Sequence, residues 1–423
     1  MRPEGPSDQR GAKRGSGMSG RPITVAHLVS HPIQYFAPLY RELASRPEIE
    51  LTVYFYSDAT AREFHDEGFG QRVTWDRPLL DGYRYRMLPS ASRTDISGRF
   101  VKNPNWDVVR EVMSAGYDVA WAHGYAHLTT WIAAAAARWR GTQLLLRDEQ
   151  TLLHGRAPHK RALKAVALRA LYSQASALYI GEQNRRYFRH YGMPDERLYP
   201  ARYCVDNTFF RAQAAELAPR RREIRASFGI DDDAPVVLFA GKLIEKKQPL
   251  RLVEAYARVR AQQPCWLLIV GDGPQRSEVE YLAAHLGAAG VRIAGFLNQT
   301  ELPAAYAAAD VLVLPSAYHE TWGLVVNEAM NFDLPVVVSD KVGCGADLVE
   351  AGRNGFIVPH DDTAQLAEAI GQLAGDADLR RRFGRRSGEI VGRYSIEACA
   401  DGIVAACEAA MARTRRAAVP AAA

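Results

Sequence analysis

The chain has 423 residues, 48% apolar and 24% charged, a balance that excludes wholesale disorder and a fibrous repeat and suits two or three domains. No stretch reaches the roughly 18 to 20 uninterrupted apolar residues of a membrane span, and the polar opening MRPEGPSDQRGAKRGSGMSG has no apolar signal core, so a cytoplasmic location is expected. Of the net charge of +5, residues 1–21 carry +3 (Arg2, Arg10, Lys13, Arg14 and Arg21 against Glu4 and Asp8), leaving +2 for the body, too little to mark a nucleic-acid binder.

The tail 1–21 is rich in Gly, Pro and Ser and reads as disordered, with Met18 an alternative start. Five apolar runs follow: ITVAHLVS (23–30), ELTVYFYS (50–57), YDVAWAHG (117–124), TQLLLRDE (142–149) and SALYIGE (176–182). They are too continuously apolar for half-exposed strands and predict parallel strands covered on both faces. Residues 154–173 hold Arg156, Lys160, Arg161, Lys164 and Arg169 with no acid, and an apolar stripe at helical spacing. Such a helix suits an anionic membrane surface, or packs on its own sheet with solvated cations.

The boundary between two sheets is expected near 205–232, where a charged helix-like stretch leads to the acidic turn DDDAP. Five more runs succeed it: PVVLFAG (235–241), WLLIVGDG (266–273), VRIAGF (291–296), DVLVLPS (310–316) and LPVVVSD (334–340). Helical spacing recurs between them, as in 249–262 and 301–309. A long amphipathic helix at 397–412 and an Arg- and Ala-rich tail end the chain. Repeated strand–helix units predict two doubly wound, Rossmann-like α/β domains facing across a cleft, with ligands beyond the carboxyl ends of the strands. Cys204, Cys265, Cys344, Cys399 and Cys407 are scattered without metal or disulfide spacing and read as buried thiols.

The loops at those strand ends carry the chemistry. Glu320 and Glu328 flank Gly323 at the start of a helix, where backbone N–H groups suit a phosphate and carboxylates suit sugar or ribose hydroxyls. Glu42 and Glu50 share that spacing by chance; the later pair is set apart by its place between two buried strands. In FAGKLIEKKQPL (239–250) the chain turns through Gly241, and Lys242 and Lys247 can neutralise a leaving diphosphate; the competing reading is a solvated turn. VGDGP brings Gly273 to the next strand end, and AGFLNQTEL brings Gly295 and Phe296, whose backbone can meet a nucleobase.

YCVDNTFF, GKLIEKKQP, VGDGP, GFLNQTEL, HETWGLVVNEAM, LPVVVSD and NGFIVPHDD occur in one order and spacing over nearly half of the chain. In these segments it resembles the retaining glycosyltransferases of family 4 (group 1), which have the GT-B fold. The resemblance implies an N-terminal acceptor-binding domain (22–204), a C-terminal donor-binding domain (205–395), and a terminal helix and tail (396–423) that can cross back to the first domain. It places Glu320 at the donor sugar, Glu328 at the ribose, Lys242 and Lys247 at the diphosphate, and Gly241, Gly273, Phe296, Trp322, Gly323 and Leu324 around the donor. Lys242 stands where Arg is usual, Trp322 where Phe is common, and Phe332-Asp333 where a small residue and Gly are typical. Lys242 keeps the charge but loses the bidentate fork.

The N-terminal half matches less. The family's glycine-rich loop after the first strand is replaced by SHPIQYFAPLYREL, which offers His31, Gln34 and Tyr35. His123 and Arg147 end later strands and are further candidates for acceptor or donor-sugar contact. No Asp-x-Asp pair presents itself as a metal ligand, since Asp231–Asp233 fall in the linker and Asp361-Asp362 follow the last strand. That absence favours a metal-independent reaction, and the resemblance implies retaining transfer from a UDP- or GDP-sugar to an acceptor hydroxyl, with no other cofactor. Rival readings are a nucleotide-sugar epimerase or phosphorylase on the same fold, the latter lacking a marked pyridoxal-phosphate lysine, and a catalytically silent nucleotide-sugar-binding partner.

Overall fold

The computed structural model describes residues 21–89, 104–153 and 158–418. Each of the ten apolar runs forms a strand, and five shorter strands join them. In chain order they are β1 (Ile23–Val29), β2 (Ile49–Phe55), β3 (Phe64–Asp66), β4 (Gln71–Val73), β5 (Tyr85–Met87), β6 (Val119–His123), β7 (Gln143–Arg147) and β8 (Ala175–Tyr179). They continue with β9 (Leu198–Pro200), β10 (Val236–Ala240), β11 (Trp266–Val270), β12 (Val291–Gly295), β13 (Val311–Leu314), β14 (Val336–Ser339) and β15 (Gly355–Val358). Four of the five additional strands are three residues long and carry no continuous apolar run, so hydrophobic patterning does not announce them; β15 has only the short run Phe356–Val358. β15 occupies the NGFIVPHDD segment, expected as a loop, and pairs in parallel with β14.

The first sheet has the order β5-β2-β1-β6-β7-β8-β9 and the second β12-β11-β10-β13-β14-β15. All their pairings are parallel. Every residue of β10 and β11 is buried, as strands covered by helices on both faces require. In both sheets the chain begins at the centre, runs to one edge, then returns and runs to the other. Direction therefore reverses between β1 and β6, and again between β10 and β13. Loops leaving neighbouring strands part there, opening a crevice at the carboxyl ends. These are two Rossmann-like α/β domains.

The expected linker is docked rather than loose. Helices Asn207–Leu217 and Arg221–Ser227 occupy it, and Arg225 and Arg221 reach Asp310 of the second domain at 2.5 and 2.8 Å. The C-terminal helix Ile396–Ala418 packs on helix Ala37–Ala44 and on β7, β8 and β9 of the first sheet. Arg46–Asp401 at 3.0 Å and Arg413 Nη1 donating to Tyr199 Oη at 2.9 Å hold its polar side. The basic segment forms helix Pro158–Tyr172, whose Leu168, Leu171 and Tyr172 are buried while Val166 is 68% exposed. Its residues 154–157, and the basic tail before Arg21, lie outside the described residues. All five cysteines are buried free thiols.

Candidate active site

The crevice of the second sheet is built by the loops after β10 and β13. After β10 the chain passes through Gly241 and Lys242 into a single turn, Glu245–Lys247, that presents Lys246 and Lys247. After β13 the backbone twists at His319 (φ +53°) and Gly323 (φ +100°), and Glu320 between them bridges in parallel to Val342. Only glycine suits position 323, since a Cβ there would also lie 2.7 Å from Leu314 Cδ2. Glu320 Oε2 then receives Lys247 Nζ at 2.5 Å and Ser316 Oγ at 2.9 Å, with Lys246 Nζ at 3.9 Å. Burial raises the Glu320 pKa, but Lys247 and Lys246 outweigh it and hold the carboxylate below its ordinary value. Burial in turn lowers the Lys246 pKa, only partly opposed by Glu320.

Glu328, in helix Leu324–Met330, is buried among tyrosines rather than lysines. Tyr306 Oη donates to its Oε2 at 2.5 Å, and the hydroxyl of Tyr35 bonds it from the first domain. Burial pushes the Glu328 pKa up to about 7, and those two hydrogen bonds only partly offset the shift. Glu328 lines a cavity of about 110 Å³ together with Gln34, Tyr35, Gly241, Val325 and Phe296. The two glutamates, expected to face one ligand jointly, thus have separate partners: Glu320 sits with the cations and Glu328 in the cavity.

Three residues lie elsewhere than expected. The Trp322 ring packs between Tyr203 and Tyr394, each at 6.0 Å, and its Nε1 donates to Asn327 Oδ1 at 2.8 Å. Its size is used to join the domains, and it does not line the cavity that holds Glu328. Val325, rather than the expected Leu324, lines the cavity. Arg147 is buried beneath the crevice, its guanidinium 5.0 Å from the Phe36 ring centre and 5.2 Å from that of Tyr203, with Nη1 3.6 Å from Cys399 Sγ. A cation enclosed there holds the C-terminal helix and cannot reach an acceptor.

At the first sheet's crevice His31 follows β1 and His123 ends β6. His31 Nδ1 meets Ser30 Oγ at 2.9 Å, and burial, with His123 and His127 nearby, lowers its pKa to about 4. His123 Nε2 lies 3.5 Å from Glu149 Oε1. Burial raises the Glu149 pKa, but His123, Arg147 and Tyr203 outweigh it, so the carboxylate stays ionised. Glu149 was not singled out by sequence, although it follows the considered Arg147 and Asp148 directly. Lys242 also has a partner that sequence reading missed: its Nζ is 2.6 Å from Asp66 Oδ1, on β3 of the other domain. Beside it, Gly273 (φ +153°) lets loops close up, for a Cβ there would lie 2.7 Å from Leu243 O and 2.9 Å from Gly68 O.

Among the described residues no three His, Cys, Asp or Glu side chains gather as a metal site. The acidic runs have structural partners: Asp232 accepts from Trp266 Nε1 at 2.6 Å, and Asp362 caps helix Thr363–Gly375. No helix among the described residues is long and apolar enough to cross a membrane.

Residues 220–389 match the family described as "Glycosyl transferases group 1". The chain is 33% identical over 215 residues to an alpha-D-kanosaminyltransferase of Streptomyces kanamyceticus, covering 49% of this chain and 53% of that one. It is 35% identical over 202 residues to a D-inositol 3-phosphate glycosyltransferase of Nocardia farcinica, covering 45% and 44%. The chain thus spans about half the length of the curated relatives it matches. Among solved structures, a glycosyltransferase of Rickettsia africae superposes with a TM-score of 0.72 at 14% identity, over 92% of this chain and 99% of that one. HepE of Anabaena, solved with UDP and glucose, gives 0.66 at 18% identity, over 93% and 100%. Residues 220–389 of the second domain therefore carry the likeness to the group 1 glycosyl transferases, and the two Rossmann-like domains together form the GT-B fold.

Proposed function

We propose that the chain is a retaining glycosyltransferase that moves a sugar from a UDP- or GDP-sugar to a hydroxyl of a glycoconjugate, polysaccharide or natural product, without a metal ion. The observation that carries this reading is the triplet Lys242, Lys246 and Lys247 at the second sheet's crevice, with the Lys247–Glu320 contact of 2.5 Å at its centre. Departure of the nucleoside diphosphate leaves an oxocarbenium-like sugar and concentrates negative charge on the β-phosphate. Fixed ammonium groups where that charge grows stabilise the transition state more than the ground state. Glu320, kept ionised by the lysines, accepts hydrogen bonds from sugar hydroxyls, and Glu328 accepts them from the ribose.

The first domain supplies the acceptor side through His31 and His123, while its Gln34 and Tyr35 line the cavity that holds Glu328. The arrangement suits front-face transfer: the bond from the anomeric carbon to the diphosphate breaks, the acceptor oxygen bonds to the same face, and the leaving diphosphate takes the acceptor proton. The names of the similar proteins, an alpha-D-kanosaminyltransferase and a structure holding UDP and glucose, agree with this chemistry.

A screen of UDP-, GDP- and TDP-sugars with and without acceptors tests the reading by mass spectrometry. Product should form from one donor class, keep most of its rate in saturating EDTA, and show the donor's anomeric configuration by NMR. An inverted product would refute retention, and metal-reversible loss of activity would refute the electrostatic account.

A further inference from the structure

The hairpin β3–β4 belongs to neither large sheet. Its six residues pair only with each other, through Phe64↔Val73, His65↔Arg72 and Asp66↔Gln71. Yet it and the segment after it reach three donor loops of the other domain. Asp66 clasps Lys242 Nζ with Oδ1 at 2.6 Å and Oδ2 at 2.9 Å. Phe69 stands edge-on to Phe296, ring centres 4.8 Å apart, and lies 4.8 Å from Lys242 Nζ. Gly68 closes on Gly273, as the forbidden Cβ there indicates. Asn298 Nδ2 donates to Thr74 O at 2.7 Å, and the Thr300 amide donates to Asp76 Oδ2 at 2.9 Å. Phe69 and Trp75 also line the cavity that holds Phe296 and Glu328.

We propose that this hairpin completes the nucleotide end of the donor site, with Phe69 and Trp75 as walls for the base and Asp66 as an internal counter-ion that the donor's diphosphate displaces from Lys242. The proposal rests on the reading that this crevice binds a nucleoside diphosphate sugar. A cavity of about 110 Å³ lined by five aromatic side chains, Phe69 and Trp75 among them, suits a flat heterocycle, and every base has a π-face to stack. Asp66 is pre-oriented, because its Oδ1 also accepts from the amides of Gly68 and Phe69 at 2.9 and 3.1 Å. Burial disfavours its charge, but Lys242 and these amides more than compensate and keep it ionised. Two carboxylate oxygens on one ammonium occupy the position a phosphate needs, so Asp66 and the diphosphate compete for the same cation. The competition is modest, since Lys242 is partly open to solvent and a partly exposed ion pair is weak.

Calorimetric titration of the full chain with uridine, UDP, guanosine and GDP separates these contributions. Asp66→Asn should tighten the bound nucleoside diphosphate by roughly threefold to tenfold while leaving its nucleoside unchanged. A gain of affinity is not a result that a misfolded variant can produce. Trp75→Ala and Phe69→Ala should each weaken nucleoside and nucleoside diphosphate alike, by roughly fivefold or more. If Asp66→Asn binds the diphosphate no more tightly than wild type, the counter-ion role is overturned. If both aromatic variants hold the nucleoside within twofold of wild type, the wall is overturned. In either case, wild-type binding that Glu328→Ala weakens leaves the donor reading standing. If the wild-type chain binds none of the four compounds, the donor reading fails and the proposal with it.

Discussion

The two domains share a strand order but differ in what they place at the point where it reverses. In the first, His31 and His123 lie at the crevice with Glu149 close behind, and burial keeps His31 neutral over the physiological range. In the second, Lys246 and Lys247 converge on one ionised glutamate, Lys242 pairs with Asp66, and a second glutamate waits in an aromatic pocket. One backbone device therefore carries two chemistries. A crevice where burial holds His31 neutral suits an uncharged hydroxyl acceptor, whereas clustered ammonium groups suit a diphosphate. Two internal ion pairs, Asp66–Lys242 and Glu320–Lys247, satisfy the second crevice before any ligand arrives. In the proposed function, both anions stand where a donor's charges and hydroxyls would.

The difference can be broken first at Lys247. Lys247→Ala should lower kcat by roughly a hundredfold or more, the scale of losing one charge-stabilising group, with the thermal melt nearly unchanged. Stopped kinetics with a confirmed donor measure it, and activity within a few-fold of wild type would remove Lys247 from the leaving-group site. Next in size, Glu328→Ala should weaken binding of the free nucleoside diphosphate by about 1.5 to 3 kcal/mol, the range of charged hydrogen bonds. Calorimetry showing a loss confined to the sugar-bearing donor would instead move Glu328 to the sugar.

A smaller effect follows from the Glu328 pKa of about 7. The carboxylate is mostly ionised at pH 8 and mostly protonated at pH 6, so nucleotide affinity should fall as pH falls, by roughly tenfold over that window. Glu328→Gln should flatten the profile; an unchanged slope in that variant would assign the titration to another group. The smallest expected effect sharpens the comparison from the other side. His123→Ala should leave UDP or GDP affinity within about twofold, because the group belongs to the first sheet's crevice beside Glu149, while raising the acceptor KM. A large loss of nucleotide affinity would place His123 at the donor.

The strands and the second crevice were legible because their signals are local. A buried parallel strand must be apolar over four or more successive residues, and ten such runs gave ten strands. Glu320, Lys242 and Lys247 sit in the connections after two of those runs, and Glu328 in the helix that follows Glu320, so their neighbourhood follows from position along the chain. The hairpin was not legible, since β3 and β4 are three residues each, partly exposed, and held by partners more than 170 positions away. Glu149 was missed although it adjoins the residues considered, because its role depends on His123, which sequence separates from it by a helix.

The sequence by itself determined the two doubly wound domains, the buried thiols and the position of the cationic loop, because apolar continuity, helical spacing and short turns are properties of neighbours along the chain. Tertiary structure alone decided which groups meet. It turned the Trp322 ring into the domain interface, enclosed Arg147 beneath the C-terminal helix, set Glu320 on Lys247 and Glu328 on tyrosines, and brought Asp66 across to Lys242. Each of those outcomes depends on the packing of two surfaces remote in sequence, and side-chain direction and desolvation exist only once those surfaces have met.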